Sequence, residues 1–268
     1  MSELVERHRR RFLDYVAEQR SRATSQLANF DLKRDHSLRV LDNARLIISQ
    51  AGLDEIIAET VLLGALYHDT GRFPQLLRYG TFKDSKSDNH GRMGVRSLRE
   101  EGLLDDLALA RRKVVLSTVI LHNRRDLPRE LPYEVDLGAR VVRDADKLDI
   151  LRVMLDHVCP GATRDRTVML ELEEDAEAYT PVVLEQVRGR RQANYMDMRF
   201  VNDFKLLLAS WVYDLNCASS RALLRDRGLL DELLELLPDR PEFRALAAQL
   251  QGDLHRDQDE NSPMTWAR

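Results

Sequence analysis

The sequence reads as an all-α protein. Apolar residues recur at helical spacing along most of its 268 residues. Stretches of strict apolar/polar alternation bounded by turn formers are hard to find. Only 12 Gly and 8 Pro interrupt the chain, which leaves room for long helices.

The elements follow in order. Residues 1–15, MSELVERHRRRFLDY, are charged and lack an apolar h-region, so no secretory signal is expected. Residues 39–52 place Val40, Leu41, Ala44, Ile47 and Ile48 on one helical face, and Gly52 suits a helix C-cap. Residues 54–69 form a second helix, apolar on most sides towards its end and therefore central. Gly71 and Pro74 are read as stopping it. Residues 72–89 read as a loop. Helices are expected over 90–101, 104–123 and 134–157. The acidic stretch after Pro160 reads as a short hairpin or an exposed excursion. Further helices fit 180–192, 199–228 (a long one, closed by Gly228), 228–237 and 241–254, and no repeat of fixed period is found.

Composition excludes several classes. With 43% hydrophobic and 32% charged residues, the chain is neither disordered nor membrane-spanning. Its 41 basic and 45 acidic residues give a net charge of -4, unlike a broadly basic nucleic-acid binder. Cys159 and Cys217 are too few for a disulfide framework or a thiolate zinc site. A soluble, cytoplasmic protein is expected.

Four of the seven histidines sit in informative places. His36 is read as opening a helix, His68-Asp69 as closing the next, His90 as opening a helix and His122 as closing one. Asp144 and Asp146 open or line the following helix. Helix ends are where side chains of separate helices converge on one cavity of a bundle. Imidazole with carboxylate suits divalent metals. A helix C-terminus also favours a cation. Taken singly, each residue has a plainer reading as a cap or surface group. His8, in a basic run read as solvated, His157 and His255, in the tail, keep that reading.

Jointly, the pattern resembles the HD-domain metal-dependent phosphohydrolase superfamily. The match runs through DHSLRVLDNA (His36), LLGALYHDTGR (His68, Asp69, Gly71), NHGRMGVRSL (His90, Gly94), VILHNRRDLP (His122) and RVVRDADKLDIL (Asp146), across roughly residues 33–156. The resemblance implies an HD-type helical domain over 1–160. A helical extension over 161–255 belongs to the same globular unit, and 256–268 is a polar tail. It also implies two divalent metal ions, one on His36, His68, Asp69 and Asp146. The second uses Asp69 as a bridge, with His90 and His122. Asp144 stays the rival of Asp146. Mn, Fe, Ni, Co, Zn and Mg are not distinguished. Where cyclic-di-GMP phosphodiesterases of the HD-GYP group carry His-His-Glu and Gly-Tyr-Pro, this chain has His122-Asn123-Arg124 and Asp126-Leu127-Pro128. That departure disfavours cyclic-di-GMP and leaves the second metal one histidine poorer.

The implied activity is hydrolysis of a phosphate ester, of a nucleotide or a related small anion, by a metal-bound water of lowered pKa. Asp69 and Arg72 are the catalytic candidates, Arg72 standing where the family usually has Lys. Residues 71–100 carry seven basic residues against three acidic, a local charge of +4. Arg124 and Arg125 follow His122 directly and add to it, so Arg72, Lys83 and Arg125 are the candidate phosphate contacts. No unambiguous general acid is visible. A metal-bound water or Lys147 could serve, but Lys147 could equally pair with Asp144. The apolar stripe through Phe200, Phe204, Leu207, Leu208, Trp211 and Leu215 reads as a packing helix, with a homodimer face or a pocket wall as alternatives. Two other classes share the ligand pattern, a di-iron oxygenase of the HD superfamily and a nucleotide-sensing module without turnover.

Overall fold

The computed structural model describes residues 2–158 and 172–256. Among these residues the regular elements are helices, and the one ladder contact is an isolated parallel bridge between Glu173 and Phe200. The chain divides into two compact units, residues 1–149 and residues 150 onward. No described helix is long and apolar enough to cross a membrane.

The first unit begins with α1 (Glu3–Ser21), capped by Ser2, whose side chain accepts from the Val5 amide. Val5, His8, Phe12, Tyr15, Val16 and Gln19 form its buried face. The expectation of a solvated His8 fails here. The arginines around it face outward while His8 packs fully buried against Tyr67, Nδ1 3.0 Å from the tyrosine hydroxyl. Helix α2 (Leu27–Ile48) starts well before the expected residue 39. Its N-cap, Gln26, is left-handed (φ 56) and makes no side-chain cap, so the sequence carries no start signal there. His36 therefore lies in the helix interior rather than at its start.

Helix α3 (Glu55–Tyr67) is capped by Asp54, and every residue from Thr60 to Tyr67 is buried, as its all-round apolar character requires. The expected loop 72–89 is a helix in its first half, α4 (Arg72–Tyr79). Pro74 is its third residue, where the missing N–H would have no helical partner. Phe73 and Leu76 bury the helix, Phe73 packing its ring against Phe12, Tyr15 and Phe30 at about 6 Å. A single 3₁₀ turn follows at Asp84–Lys86.

Helix α5 (His90–Glu100) starts at Asn89, which accepts from the Arg92 amide. Helix α6 (Leu109–Leu121) starts five residues later than expected. Helix α7 (Tyr133–Val158) is the longest, and Leu137, Val141, Val142, Ala145 and Leu148 along it are fully buried. The core thus lies between α2, α3, α6 and the first turns of α7.

The second unit holds α8 (Pro181–Arg188), α9 (Val201–Ala209), α10 (Ala218–Asp226), α11 (Leu229–Glu235) and α12 (Pro241–Arg256). The long helix expected over 199–228 is broken into α9, a 3₁₀ turn at Ser210–Tyr213, and α10. Buried Asp203 organises the entry to α9: its carboxylate accepts from the Thr180, Arg199 and Phe200 amides. The hairpin or excursion after Pro160 lies, up to residue 171, outside the described residues, as does the tail from 257. Residues 172–179 are non-helical.

Candidate metal centre

Five elements deliver the expected site residues to one place. His36 comes from the middle of α2, and His68 caps the end of α3, with Asp69 following it. His90 is the first residue of α5, His122 caps α6, and Asp146 lies inside α7. The expectation that all sit at helix ends holds for His68, His90 and His122, and fails for His36 and Asp146. Two groups can each hold a metal ion, His36–His68–Asp69 and Asp69–His90–His122, all buried.

The chemistry of the donor atoms supports that reading. Each imidazole commits Nδ1 to an oxygen: His36 to Asp149 Oδ2 (2.6 Å), His68 to the Ala65 carbonyl (2.7 Å), His90 to Asp84 Oδ2 (2.7 Å) and His122 to the Val119 carbonyl (2.6 Å). Carbonyl and carboxylate oxygens only accept, so the proton sits on Nδ1 in each ring. In the neutral form of each ring Nε2 carries a lone pair, and these atoms face one another. His36 and His68 Nε2 are 3.3 Å apart, and His90 and His122 Nε2 are 3.0 Å apart. Lone pairs at that distance repel unless a proton or a cation lies with them.

Asp69 stands between the two pairs. Its Oδ2 lies 3.5 and 3.8 Å from His36 and His68 Nε2, and its Oδ1 lies 3.6 and 3.7 Å from His90 and His122 Nε2. One oxygen is thus offered to each pair. Asp146 Oδ1 faces the first pair, 3.1 Å from His36 Nε2 and 3.7 Å from His68 Nε2, and is buried without a hydrogen-bond donor. Two residues along a helix turn the side chain by about 200°, so Asp144, fully buried in the same helix, cannot share that direction.

Electrostatics keep the two carboxylates ionised and the His90 ring neutral, while favouring a proton on His36. Burial alone would raise the Asp69 carboxyl, but Lys33, His68 and Arg72 hold it well below the usual carboxylate range. Asp146 is likewise depressed against its burial, by His36 and His68. Burial, then the Arg72 charge, pushes His90 down to about 3 against the pull of Asp84, so its ring is neutral at ordinary pH. Asp84, opposed by burial, is brought down to about 2 by His90 and Arg72. Burial and Lys33 act to lower His36, but Asp146 and Asp149 raise it overall.

Several residues that shape the site went unnoticed in the sequence. Lys33 Nζ lies 2.7 Å from Asp69 Oδ2. Asp149 orients His36 and is itself gripped by Arg39 at 2.6 Å. Asp84 orients His90 and accepts from Gln75 and Asn123. Asp149 follows Asp146 by three residues on one helix face, a signal that could have found it. Asp84 lies in the irregular stretch between α4 and α5, where no periodicity points to it.

Arg72 sits at the centre, its Nε 3.4 Å from Asp69 Oδ1, with Nη1 donating to Gln75, to the Phe82 carbonyl and to Asp84. Lys83, half-buried, precedes the 3₁₀ turn. The side chain of Arg125 is exposed, while its carbonyl accepts from Arg143.

Residues 34–151 match the family model of the HD domain. This segment resembles an HD domain, and its histidines and aspartates cluster in a way that fits an HD-type metal site. No curated protein and no solved structure matches the chain.

Proposed function

We propose that the chain is a metal-dependent phosphohydrolase with a binuclear centre, acting on a phosphate ester of a nucleotide or a related small anion. The observation that supports this most is the pairing of four Nε2 lone pairs on either side of a single carboxylate. His36, His68, Asp69 and Asp146 would hold one ion. Asp69, His90 and His122 would hold the other. Two bound cations supply an activated water nucleophile and neutralise charge on the phosphoryl oxygens.

The chain's own residues do the rest. Asp149 and Asp84 fix the rings of His36 and His90, and the Ala65 and Val119 carbonyls fix those of His68 and His122. Lys33 and Arg72 put fixed positive charge beside Asp69, where an anionic substrate is drawn in. Both cationic heads lie over the Phe82 ring, at 5.5 and 5.8 Å, which limits their swing. Arg72 is the phosphate contact best supported by position. Lys83 and Arg125 are carried as outer contacts on charge alone.

The test is a screen of phosphomonoesters and phosphodiesters with Mn, Fe, Ni and Co, on the native chain and on Asp69→Asn. Metal-dependent phosphate or nucleotide release is expected, falling by about a thousandfold or more in the variant. Iron-dependent oxygen consumption with no phosphate release would instead identify an oxygenase of the HD superfamily. Tight nucleotide binding without product under any metal would identify a sensor.

A further inference from the structure

The basic stretch 71–100 does not act as one surface. Arg72 is drawn into the metal centre, while Arg78, Arg92 and Arg96 line a separate pocket of about 550 Å³, joined there by Arg22 of α1. The pocket lies between α1, α4 and α5, and none of the metal-centre histidines or aspartates lines it. Its size is within the range of small-molecule sites.

Four arginines face two acids, Asp88 and Glu100, in its wall. That is a formal excess of two positive charges in a chain of net charge -4. The arginines are weakly committed. Arg22 pairs with exposed Glu18, and Arg96 with exposed Glu100 at 2.7 Å. Exposed pairs of this kind contribute little and exchange readily for a better anion. The Arg78 guanidinium lies over the ring of its neighbour Tyr79. Arg92 is exposed, and no described residue pairs with its side chain. Between these charges the wall is apolar, formed by Pro74, Leu77 and Met93.

We propose that this pocket is a second binding site, for a small organic phosphate of the nucleotide kind. Guanidinium forks match phosphate oxygens and also stack on planar bases. The apolar floor accepts the uncharged body, which free phosphate or pyrophosphate lacks. The site stands independently of any catalysis at the metal centre. It is nonetheless walled by the helices that begin with Arg72 and His90, so occupancy bears directly on the elements that hold those two residues.

The experiment is calorimetric titration of the full chain, stripped of metal by a chelator, with ATP, GTP, AMP, pyrophosphate and inorganic phosphate. It is repeated on His68→Ala/His122→Ala, on Arg92→Glu, and on Arg99→Glu, an exposed α5 residue outside the pocket. We expect a nucleotide to bind at least about tenfold more tightly than pyrophosphate. Binding should survive in the double histidine variant and in Arg99→Glu, and weaken about tenfold or more in Arg92→Glu. Circular dichroism confirms that the variants are folded, and Arg92→Lys should restore part of the affinity. Failure of every nucleotide to bind would overturn the proposal. So would binding lost with the metal-centre histidines but indifferent to Arg92, or pyrophosphate binding as tightly as any nucleotide.

Discussion

At the scale of single residues, the candidate centre depends on where each imidazole proton sits. Motif order alone points to His36, His68, Asp69, His90, His122 and Asp146. It says nothing of the acceptors that turn each Nε2 inward, because two of those are backbone carbonyls, Asp84 lies outside the motif segments, and Asp149, though inside one, is not among its ligand positions. Replacing Asp84 by Asn removes the charge that holds His90 in its tautomer. Metal titration of Asp84→Asn should show one ion bound about 10–100-fold more weakly and the other unchanged.

His8 belongs to the same scale. Burial pushes it down to about 4 despite Asp106, so it is neutral in the fold, whereas in the unfolded chain it titrates near 6.5. The unfolded state therefore takes up a proton first as pH falls. Stability contributed by neutral His8 is fully present above pH 6.5 and is lost as pH drops towards 4, to a total of about 3 kcal/mol. Denaturant unfolding across that window should show the loss, and His8→Gln should flatten it.

At the scale of elements, the core helices were legible and the boundaries were not. Helix α3 announces itself because its end is apolar all round, and it is buried all round. Helix α4 was hidden by Pro74, a breaker in mid-helix but harmless at the third residue. The first turns of helix α2 carry no start signal, because Gln26 makes no side-chain cap. The break between α9 and α10 is a 3₁₀ turn inside an unbroken apolar pattern, which periodicity cannot see.

One contact between elements decides how near His90 can come. A Cβ added at Gly71, the N-cap of α4, would stand 2.0 Å from the His90 carbonyl oxygen and 2.5 Å from the Gly94 nitrogen. Both are backbone atoms that move only with α5. Gly71→Ala should therefore cost about 3 kcal/mol and weaken metal binding at His90 and His122. Denaturation and metal titration of the same variant check both effects. Gly252→Ala, inside α12 with nothing within 4 Å of its added Cβ, should instead gain about 0.5–1 kcal/mol from helix propensity.

At the scale of the whole molecule, the centre draws on four helices of the first unit and on α7. A cation held between the facing histidine pairs, as proposed, would bind the folded state alone. At about one hundred times its dissociation constant it should stabilise that unit by about 2.7 kcal/mol. Calorimetry of metal-stripped against metal-loaded protein should show a raised unfolding midpoint, and an unchanged profile would contradict the linkage. The net charge of -4 conceals the division of the basic stretch into a metal-centre arginine and a separate arginine pocket.

The central claim is that two cations sit on either side of Asp69. Elemental analysis of gently purified protein, beside the His90→Ala/His122→Ala variant, tests it most directly. About two transition-metal ions per chain in the native protein, falling to about one in the variant, is the predicted result. About one ion in both would contradict a binuclear centre and leave His90 and His122 with other roles. No ion in either, even after reconstitution, would contradict the metal centre altogether.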